Sequence, residues 1–173
     1  VVHTKPKSKS DVILIGAYNS GSSHPRYTDH LERLAQTVKA AKCHGGRNNT
    51  VVVVGDLNGE HPKLGGLCEK PGARGKLLWK HCRALNLTCA NPAGVPTRPA
   101  SGASGAVLDV LLTTNRAAVT NVAVGDFLDP VAKCPDHLPL TFDIPSVGAL
   151  RDWEQPTVHR SLLRFRWFPP AQI

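Results

Sequence analysis

Apolar residues in this chain fall into short runs separated by polar, Gly-rich and Pro-rich stretches. Residues 51–54 are four consecutive valines, whose β-branched side chains favour a strand. Since no polar residue interrupts this run, the strand is predicted to be buried on both faces. The runs 13–15 and 110–112 are also apolar throughout and predict two more strands of this kind.

Two other segments have the three-to-four residue spacing of an amphipathic helix. The first, over residues 26–43, has its apolar positions at Leu31, Leu34, Ala35, Val38 and Ala41. Pro25 favours its start, and Gly45-Gly46 its end. The second has Leu78, Cys82 and Leu85 on one face. Strands and helices in this order are typical of a layered α/β sandwich.

The remaining pattern is weaker. Short strands are predicted at residues 1–3, 88–90 and 138–144, and a strand over 119–124 is predicted to pair with the strand containing Asp109. Residues 59–75 and 91–106 are rich in Gly and Pro and predict loops. The segment after residue 145, which mixes basic and aromatic residues, is predicted to be a tail or linker.

Composition adds three constraints. A chain of 173 residues suits one domain, and its formal charge of +8 favours an anionic partner such as nucleic acid. The five cysteines are odd in number and form no C-x-x-C pair, so neither a zinc site nor a disulfide framework is indicated. Reduced cysteines predict an intracellular protein, nuclear or cytoplasmic. No apolar run has membrane-spanning length, so no membrane partner is expected.

Polar residues that could carry chemistry follow or interrupt the predicted strands. Asp56 and Asn58 come directly after the valine run, Asp109 lies beside residues 110–112, and Asp136-His137 precedes the last strand. A carboxylate, an amide and an imidazole at strand ends suit the binding of a cation or a phosphate. For Asp56 and Asn58, a plain Asp/Asn-Gly turn explains the residues equally well.

These motifs resemble the endonuclease/exonuclease/phosphatase superfamily. The resemblance is carried by Gly-Asp-Leu-Asn at 55–58, Leu-Asp-Val-Leu-Leu at 108–112 and Asp-His-Leu-Pro at 136–139, in that order. Residues 13–19, Pro-Thr-Arg at 96–98 and the basic, aromatic stretch 164–167 look most like the endonuclease domain of non-LTR retrotransposons.

The resemblance implies an α/β (α+β) fold, a four-layer α/β/β/α sandwich of the deoxyribonuclease I type. Only the C-terminal half is expected here, because no counterpart of the family's first strands, with their Asn and metal-binding Glu, precedes Asp11. Residues 1–145 are then the C-terminal portion of the domain, and residues 146–173 the tail. The isolated chain is expected to be inactive and poorly soluble.

Roles for individual residues follow from the same resemblance. Asp56 orients the attacking water or acts as general acid/base, and Asn58 holds that water and the phosphate. His137 contacts the scissile phosphate, and Asp109 accepts a hydrogen bond from its ring. That Asp109 has a bonding partner is also expected from the residues alone, because an unpaired carboxylate inside an apolar strand is costly.

Two further residues complete the expected site. Tyr18 would donate its hydroxyl to the phosphate, although it could equally just close its strand. Asp136 and Asp56 would hold the divalent cation, Mg²⁺ (or Mn²⁺).

The expected function is Mg²⁺-dependent nicking of DNA by a retrotransposon endonuclease. A reverse transcriptase domain in the same full-length polypeptide is expected as a partner. Two alternatives stay open: a phosphomonoesterase or phospholipid hydrolase of the same superfamily, and a non-catalytic nucleic-acid-binding remnant.

Overall fold

The computed structural model describes residues 2–4, 11–19, 24–44, 49–100, 103–125, 137–144 and 164–167. Within these ranges the elements follow one another as β1 (Val2–Thr4), β2 (Val12–Gly16), α1 (His24–Lys42), β3 (Thr50–Asp56), α2 (Ala73–Ala84), β4 (Thr88–Cys89), β5 (Arg98–Ala100), β6 (Ala103–Ala106), β7 (Asp109–Thr113), β8 (Thr120–Val124), β9 (Leu140–Asp143) and β10 (Arg164–Trp167).

The main sheet has the strand order β1-β2-β3-β7-β4, with the valine strand β3 in the centre. Strands β2 and β3 are parallel, and α1 makes the crossover connection that parallel neighbours require. Strand β7 pairs antiparallel with β3 on its other side. The predicted strands and helices are therefore present, with boundaries shifted by a few residues.

Both faces of the main sheet are covered, which explains the uninterrupted valine run. Successive side chains on a strand point to opposite faces. Val51 and Val53 pack among buried residues of α1 and α2, such as Leu31 and Leu78. Val52 and Val54 pack on the other face, against residues of the second sheet. The prediction of a strand buried on both faces is confirmed.

The second sheet has the order β10-β9-β8 and contributes Leu140 and Phe142 to the packed face. One prediction is wrong here. Strand β8 pairs with β9 and not with the Asp109 strand β7. Within the predicted tail, residues 164–167 pair antiparallel with β9 as β10. Their alternating Arg-Phe-Arg-Trp sequence is itself typical of a strand. The domain boundary at 145 and the tail stay predictions, because residues 145–163 lie outside the described ranges.

The predicted loop over 91–106 contains a hairpin, β5 paired with β6, which sequence reasoning missed. Apart from Arg98, both strands consist of small residues and Pro, so the usual signature of β-branched residues is absent. The predicted loop over 59–75 does hold irregular structure, apart from a 3₁₀ turn at Pro62–Leu64 and the start of α2. Neither helix in the described ranges is long and apolar enough to cross a membrane.

The two packed faces of the main sheet give a stability prediction. Ile13 packs on the helical face and Ile144 on the face toward the second sheet, and each is 1% exposed. Ile13→Val and Ile144→Val should therefore each lower the free energy of unfolding by about 0.5–1.5 kcal/mol, measured by urea denaturation. Ile13→Val serves as the internal control. A normal cost for Ile13→Val together with no cost for Ile144→Val would show that the second sheet does not cover that face.

Candidate active site

Strand register brings the two predicted carboxylates together. Asp56, the last residue of β3, is the direct cross-strand partner of Asp109, the first residue of β7. Because side chains alternate along a strand, both carboxylates lie on the face that carries Val54 and Leu111, toward the second sheet. Asp56 is 4% and Asp109 1% exposed. Like charges directly opposite one another are destabilising, so this pair costs the fold stability.

Burial and repulsion between the two carboxylates raise the pKa of Asp56. Burial, and next the neighbouring Asp109 charge, raise its pKa to about 6. Hydrogen bonds from Asn58 act in the opposite direction: its backbone N–H donates to Asp56 Oδ1 at 2.9 Å and its Nδ2 to Oδ2 at 3.0 Å. A carboxyl group with a pKa near neutrality can exchange a proton with a substrate at physiological pH.

Asn58 is held in a left-handed conformation with φ 48°, which Asn tolerates better than most residues. Its Nδ2 also donates to the backbone oxygen of Asn19 at 2.8 Å. The amide is therefore bonded on its nitrogen side to β3 and to the segment after β2. A turn that merely connected two elements would not require these contacts, so the plain-turn interpretation of 56–58 accounts for less of the structure.

His137 comes to this pair from the second sheet, just before β9. Its Nδ1 lies 2.6 Å from Asp109 Oδ2, so the predicted hydrogen bond is present. The His137 side chain is 10% exposed. The hydrogen bond to Asp109 raises the pKa of His137, burial opposes that shift, and the charges of Asp109 and Asp56 add to it. Since Nδ1 faces the carboxylate, Nε2 is the ring nitrogen left to contact a substrate.

Tyr18 and Asn19 follow β2 at the same end of the sheet. Tyr18 is 41% exposed, an accessible position for its predicted contact with phosphate. The backbone N–H of Asn19 donates to the carbonyl of Asp56 at 2.8 Å, which extends the parallel pairing of β2 and β3. Its side chain contacts the backbone oxygen of Tyr27 and the Nδ1 of His30. Neither Asn19 nor His30 was among the predicted site residues.

The approach of β2 to β3 depends on Gly55. A Cβ placed on Gly55 would lie 1.7 Å from the carbonyl oxygen of Ala17, and its φ of 152° also disfavours side chains. Gly55 lies within β3 and allows the backbone before Tyr18 to come close. The result places Tyr18 beside the Asp56 turn.

Asp109 is positioned by two residues that were not predicted to matter. Thr97 Oγ1 accepts the backbone N–H of Asp109 at 3.0 Å, and Asn91 Nδ2 donates to its carbonyl at 2.8 Å. Asn91 Oδ1 also accepts the N–H of Leu111 at 2.7 Å, so this amide continues the pairing of β4 with β7. Thr97 lies in the Pro-Thr-Arg segment, the one sequence signal that pointed to it.

Glu60 has a structural role next to the site. Its Oε1 accepts the backbone N–H groups of Leu67 at 2.8 Å and Val107 at 3.3 Å, which fastens the loop after Asn58 to the start of β7. His61 stacks on Trp79 with ring centroids 5.4 Å apart and accepts from the N–H of Lys63.

The loop carrying Glu60 also packs tightly on α2. A Cβ on Gly75 would lie 1.8 Å from the Glu60 carbonyl oxygen, whereas one on Gly125 would meet nothing within 4 Å. Gly75→Ala is therefore expected to lower the free energy of unfolding by about 1–3 kcal/mol, through overpacking. Thermal denaturation beside Gly125→Ala measures the effect. Equal melting temperatures for the two variants would contradict the close packing.

The side-chain oxygen atoms of this site are suitable ligands for a hard divalent cation. Mg²⁺ prefers oxygen ligands, keeps several waters and uses only one or two carboxylates. Asp56 supplies a carboxylate and Asn58 an amide oxygen, and Asp109 Oδ1 is buried with no hydrogen-bond partner among the described residues. The same part of the chain contains no group of three His, Cys, Asp or Glu residues placed to hold a metal. Asp136 lies outside the described residues, so its predicted metal contact stays a prediction.

Asp56, Asn58, Asp109 and His137 are thus brought together, with Tyr18 beside them. Comparison with known proteins bears on the fold and the family of the chain. Among solved structures, the endonuclease domain of TRAS1, a telomere-specific non-LTR retrotransposon, matches with a TM-score of 0.55 at 18% identity. The match covers 82% of this chain and 61% of that domain, so the chain spans less than two thirds of it. The likeness confirms the predicted mixed α/β fold.

A search of curated proteins finds no match to the sequence. The family model described as endonuclease-reverse transcriptase matches residues 12–140, a span that contains Tyr18, Asp56, Asn58, Asp109 and His137. On this match, which takes in well over half of the sequence, the chain belongs to the endonuclease-reverse transcriptase family.

Proposed function

We propose that this domain hydrolyses phosphodiester bonds in DNA, at a site formed by Asp56, Asn58, Asp109 and His137. The observation that supports it most strongly is the joint arrangement of three of these groups. Strand register sets Asp56 opposite Asp109, and Asp109 in turn binds His137 at 2.6 Å. A structural ion pair would not need the second, destabilising carboxylate, whereas hydrolysis needs both a base and a polarising group.

Each residue has a role that its surroundings suit. Asp56, with a pKa of about 6, accepts the proton of the attacking water. Asn58 is fixed by its bonds to Asp56 and Asn19 and orients that water or a phosphoryl oxygen. His137, with its pKa raised by Asp109, presents a charged Nε2–H to the phosphate. Tyr18 is exposed at the same edge and would donate to another phosphoryl oxygen.

A divalent cation such as Mg²⁺ would be held by Asp56 and, on the sequence prediction, by Asp136. When bound, it stabilises negative charge on the phosphoryl oxygens. A cation there would also lower the pKa of Asp56, which burial and Asp109 otherwise raise. A cation bound here would thus reduce the repulsion between the buried carboxylates of Asp56 and Asp109.

DNA as the substrate rests on charge and on the family. The chain has a formal charge of +8, and Arg98 lies close enough to His137 to act on its pKa. Positive groups around the site favour a polyanion. The family's name also pairs the endonuclease with a reverse transcriptase, which we propose as a neighbouring domain of the full-length polypeptide.

The test is nicking of supercoiled plasmid by the whole polypeptide that its gene encodes, with Mg²⁺ and after addition of EDTA. We expect nicks with Mg²⁺ and none with EDTA. Asn115→Ala, a change on the exposed turn beyond the opposite end of β7, is the matched control and should nick normally. Hydrolysis of phosphate monoesters or phospholipids with no nicking would replace the proposal with the phosphoesterase alternative. DNA binding without any hydrolysis would replace it with the non-catalytic one.

A further inference from the structure

We propose that Thr97 is a positioning residue, which holds the Asp109–His137 pair together by binding the backbone on both sides of it. This inference rests on the proposed function for its catalytic meaning, but its structural part can be tested alone. Thr97 lies between β4 and β5, in neither strand that carries the pair. Its side chain is fully buried, with 0% exposure.

The side chain of Thr97 holds the carboxylate end of the pair. Its Oγ1 accepts two successive backbone N–H groups, those of Leu108 and Asp109, each at 3.0 Å. Asp109 begins β7, so its backbone lies where regular pairing starts. With Asn91 bound to its carbonyl, Asp109 has both backbone groups fixed by side chains. The carboxylate therefore has little freedom to move away from the ring.

The backbone of Thr97 holds the imidazole end. Its carbonyl accepts the N–H of Leu138, the residue directly after His137, at 2.6 Å. Its own N–H donates to the carbonyl of Ala106 at 3.0 Å, which fixes Thr97 to the β6 strand. One residue thus fixes the main chain at Asp109 and next to His137. Those two residues are 28 apart in sequence; Asp109 begins a strand of the main sheet, and His137 precedes β9 of the second sheet.

The Asp109–His137 bond depends on this connection, because Thr97 binds the main chain at Asp109 and at Leu138, directly after His137. A hydrogen bond at 2.6 Å loses its strength when one partner moves by a fraction of an ångström. Val in place of Thr97 has a similar shape but no oxygen, so the N–H groups of Leu108 and Asp109 would lose their acceptor. Ser keeps the oxygen and loses one methyl group.

The experiment compares Thr97→Val, Thr97→Ser and Thr113→Val in the whole encoded polypeptide by nuclear magnetic resonance of the His137 ring. Thr113 is the matched control: it is also fully buried and its Oγ1 also bonds two backbone groups, at the far end of β7. In the parent chain we expect a downfield Nδ1–H proton signal, as an imidazole N–H bound to carboxylate gives. Thr97→Val should lose it, and Thr97→Ser and Thr113→Val should keep it.

Nicking by the whole encoded polypeptide gives the catalytic readout. Thr97→Val is expected to lower kcat about a hundredfold with little change in KM, since misplacement of a catalytic group acts on the reacting step. Thr97→Ser should restore most of the rate. If Thr97→Val keeps the downfield signal, or loses it only as much as Thr113→Val does, the inference is overturned. A parent protein that shows the signal but never nicks DNA would instead contradict the proposed function.

Discussion

Asp56→Asn is expected to lower the rate of DNA nicking about a thousandfold, because the group that accepts the proton is gone. The same change is expected to stabilise the fold at about pH 8, by about 1–2 kcal/mol. Loss of activity together with a gain of stability is unusual for a buried substitution. It is the result expected when a carboxylate destabilises the folded state but is required for the reaction.

The sign of the stability change follows from the pKa. Asp56 has a pKa of about 6 in the folded protein against an ordinary pKa of 3.8 for an aspartate. Between these values the folded state binds more protons, so the free energy of unfolding falls as pH rises and stays reduced above about pH 6. Asn removes that penalty but loses one of the two hydrogen bonds from Asn58. The net gain should therefore disappear as the pH falls toward about 4.

Urea denaturation of Asp56→Asn and the parent chain at about pH 8 and about pH 4.5, without metal, measures this difference. Asn115→Ala is the control for a polar change outside the site. A variant that is less stable than the parent at both pH values would mean that the Asp56 charge is already compensated in the fold. The raised pKa would then be wrong, and with it the case for Asp56 as a base.

Asp109→Asn is expected to reduce nicking by a hundredfold or more, on the order of what general acid–base groups contribute. An amide can present an N–H to His137 Nδ1, which would favour the wrong tautomer of the ring. Without the carboxylate, the pKa of His137 also loses its largest upward influence. The Asp56 pKa should fall as well, since the charge of Asp109 helps to raise it. The two arms of the pH–rate profile should move together.

Measurement of kcat/KM against pH for the parent and Asp109→Asn checks this expectation. Glu60→Gln is a suitable control, because Glu60 is a half-buried carboxylate nearby that binds the backbone N–H groups of Leu67 and Val107. Glu60→Gln should change the free energy of unfolding more than it changes the dependence of kcat/KM on pH. An Asp109→Asn enzyme with the parent's rate and profile would exclude any role for the Asp109–His137 bond in the reaction.

Sequence patterns predicted the central sheet well because its signal is local. Four valines flanked by a charged turn leave few alternatives to a strand buried on both faces, and both faces are covered. The hydrogen bond between Asp109 and His137 was also predicted. A carboxylate in an apolar strand requires a partner, and the resemblance to the superfamily identified His137 as that partner.

Other contacts between segments that are far apart in sequence were not predicted correctly. Strand β8 was assigned to its neighbour in sequence, β7, but it pairs with β9 in the other sheet. Alternation along a strand indicates its faces but not which strand it pairs with. The role of Thr97 was hidden for the same reason. Its hydroxyl and carbonyl bind Asp109 and Leu138, which are 12 and 41 positions away along the chain.

The central claim is that Asp56 and His137 work as parts of one active site. The most direct measurement is the single-turnover nicking rate of Asp56→Asn, His137→Ala and the double variant, all in the whole encoded polypeptide with Mg²⁺. If the residues act in the same step, the double variant should be scarcely slower than the slower single variant, because effects within one catalytic unit do not add. A double variant slowed by the full product of the two single effects would contradict the claim.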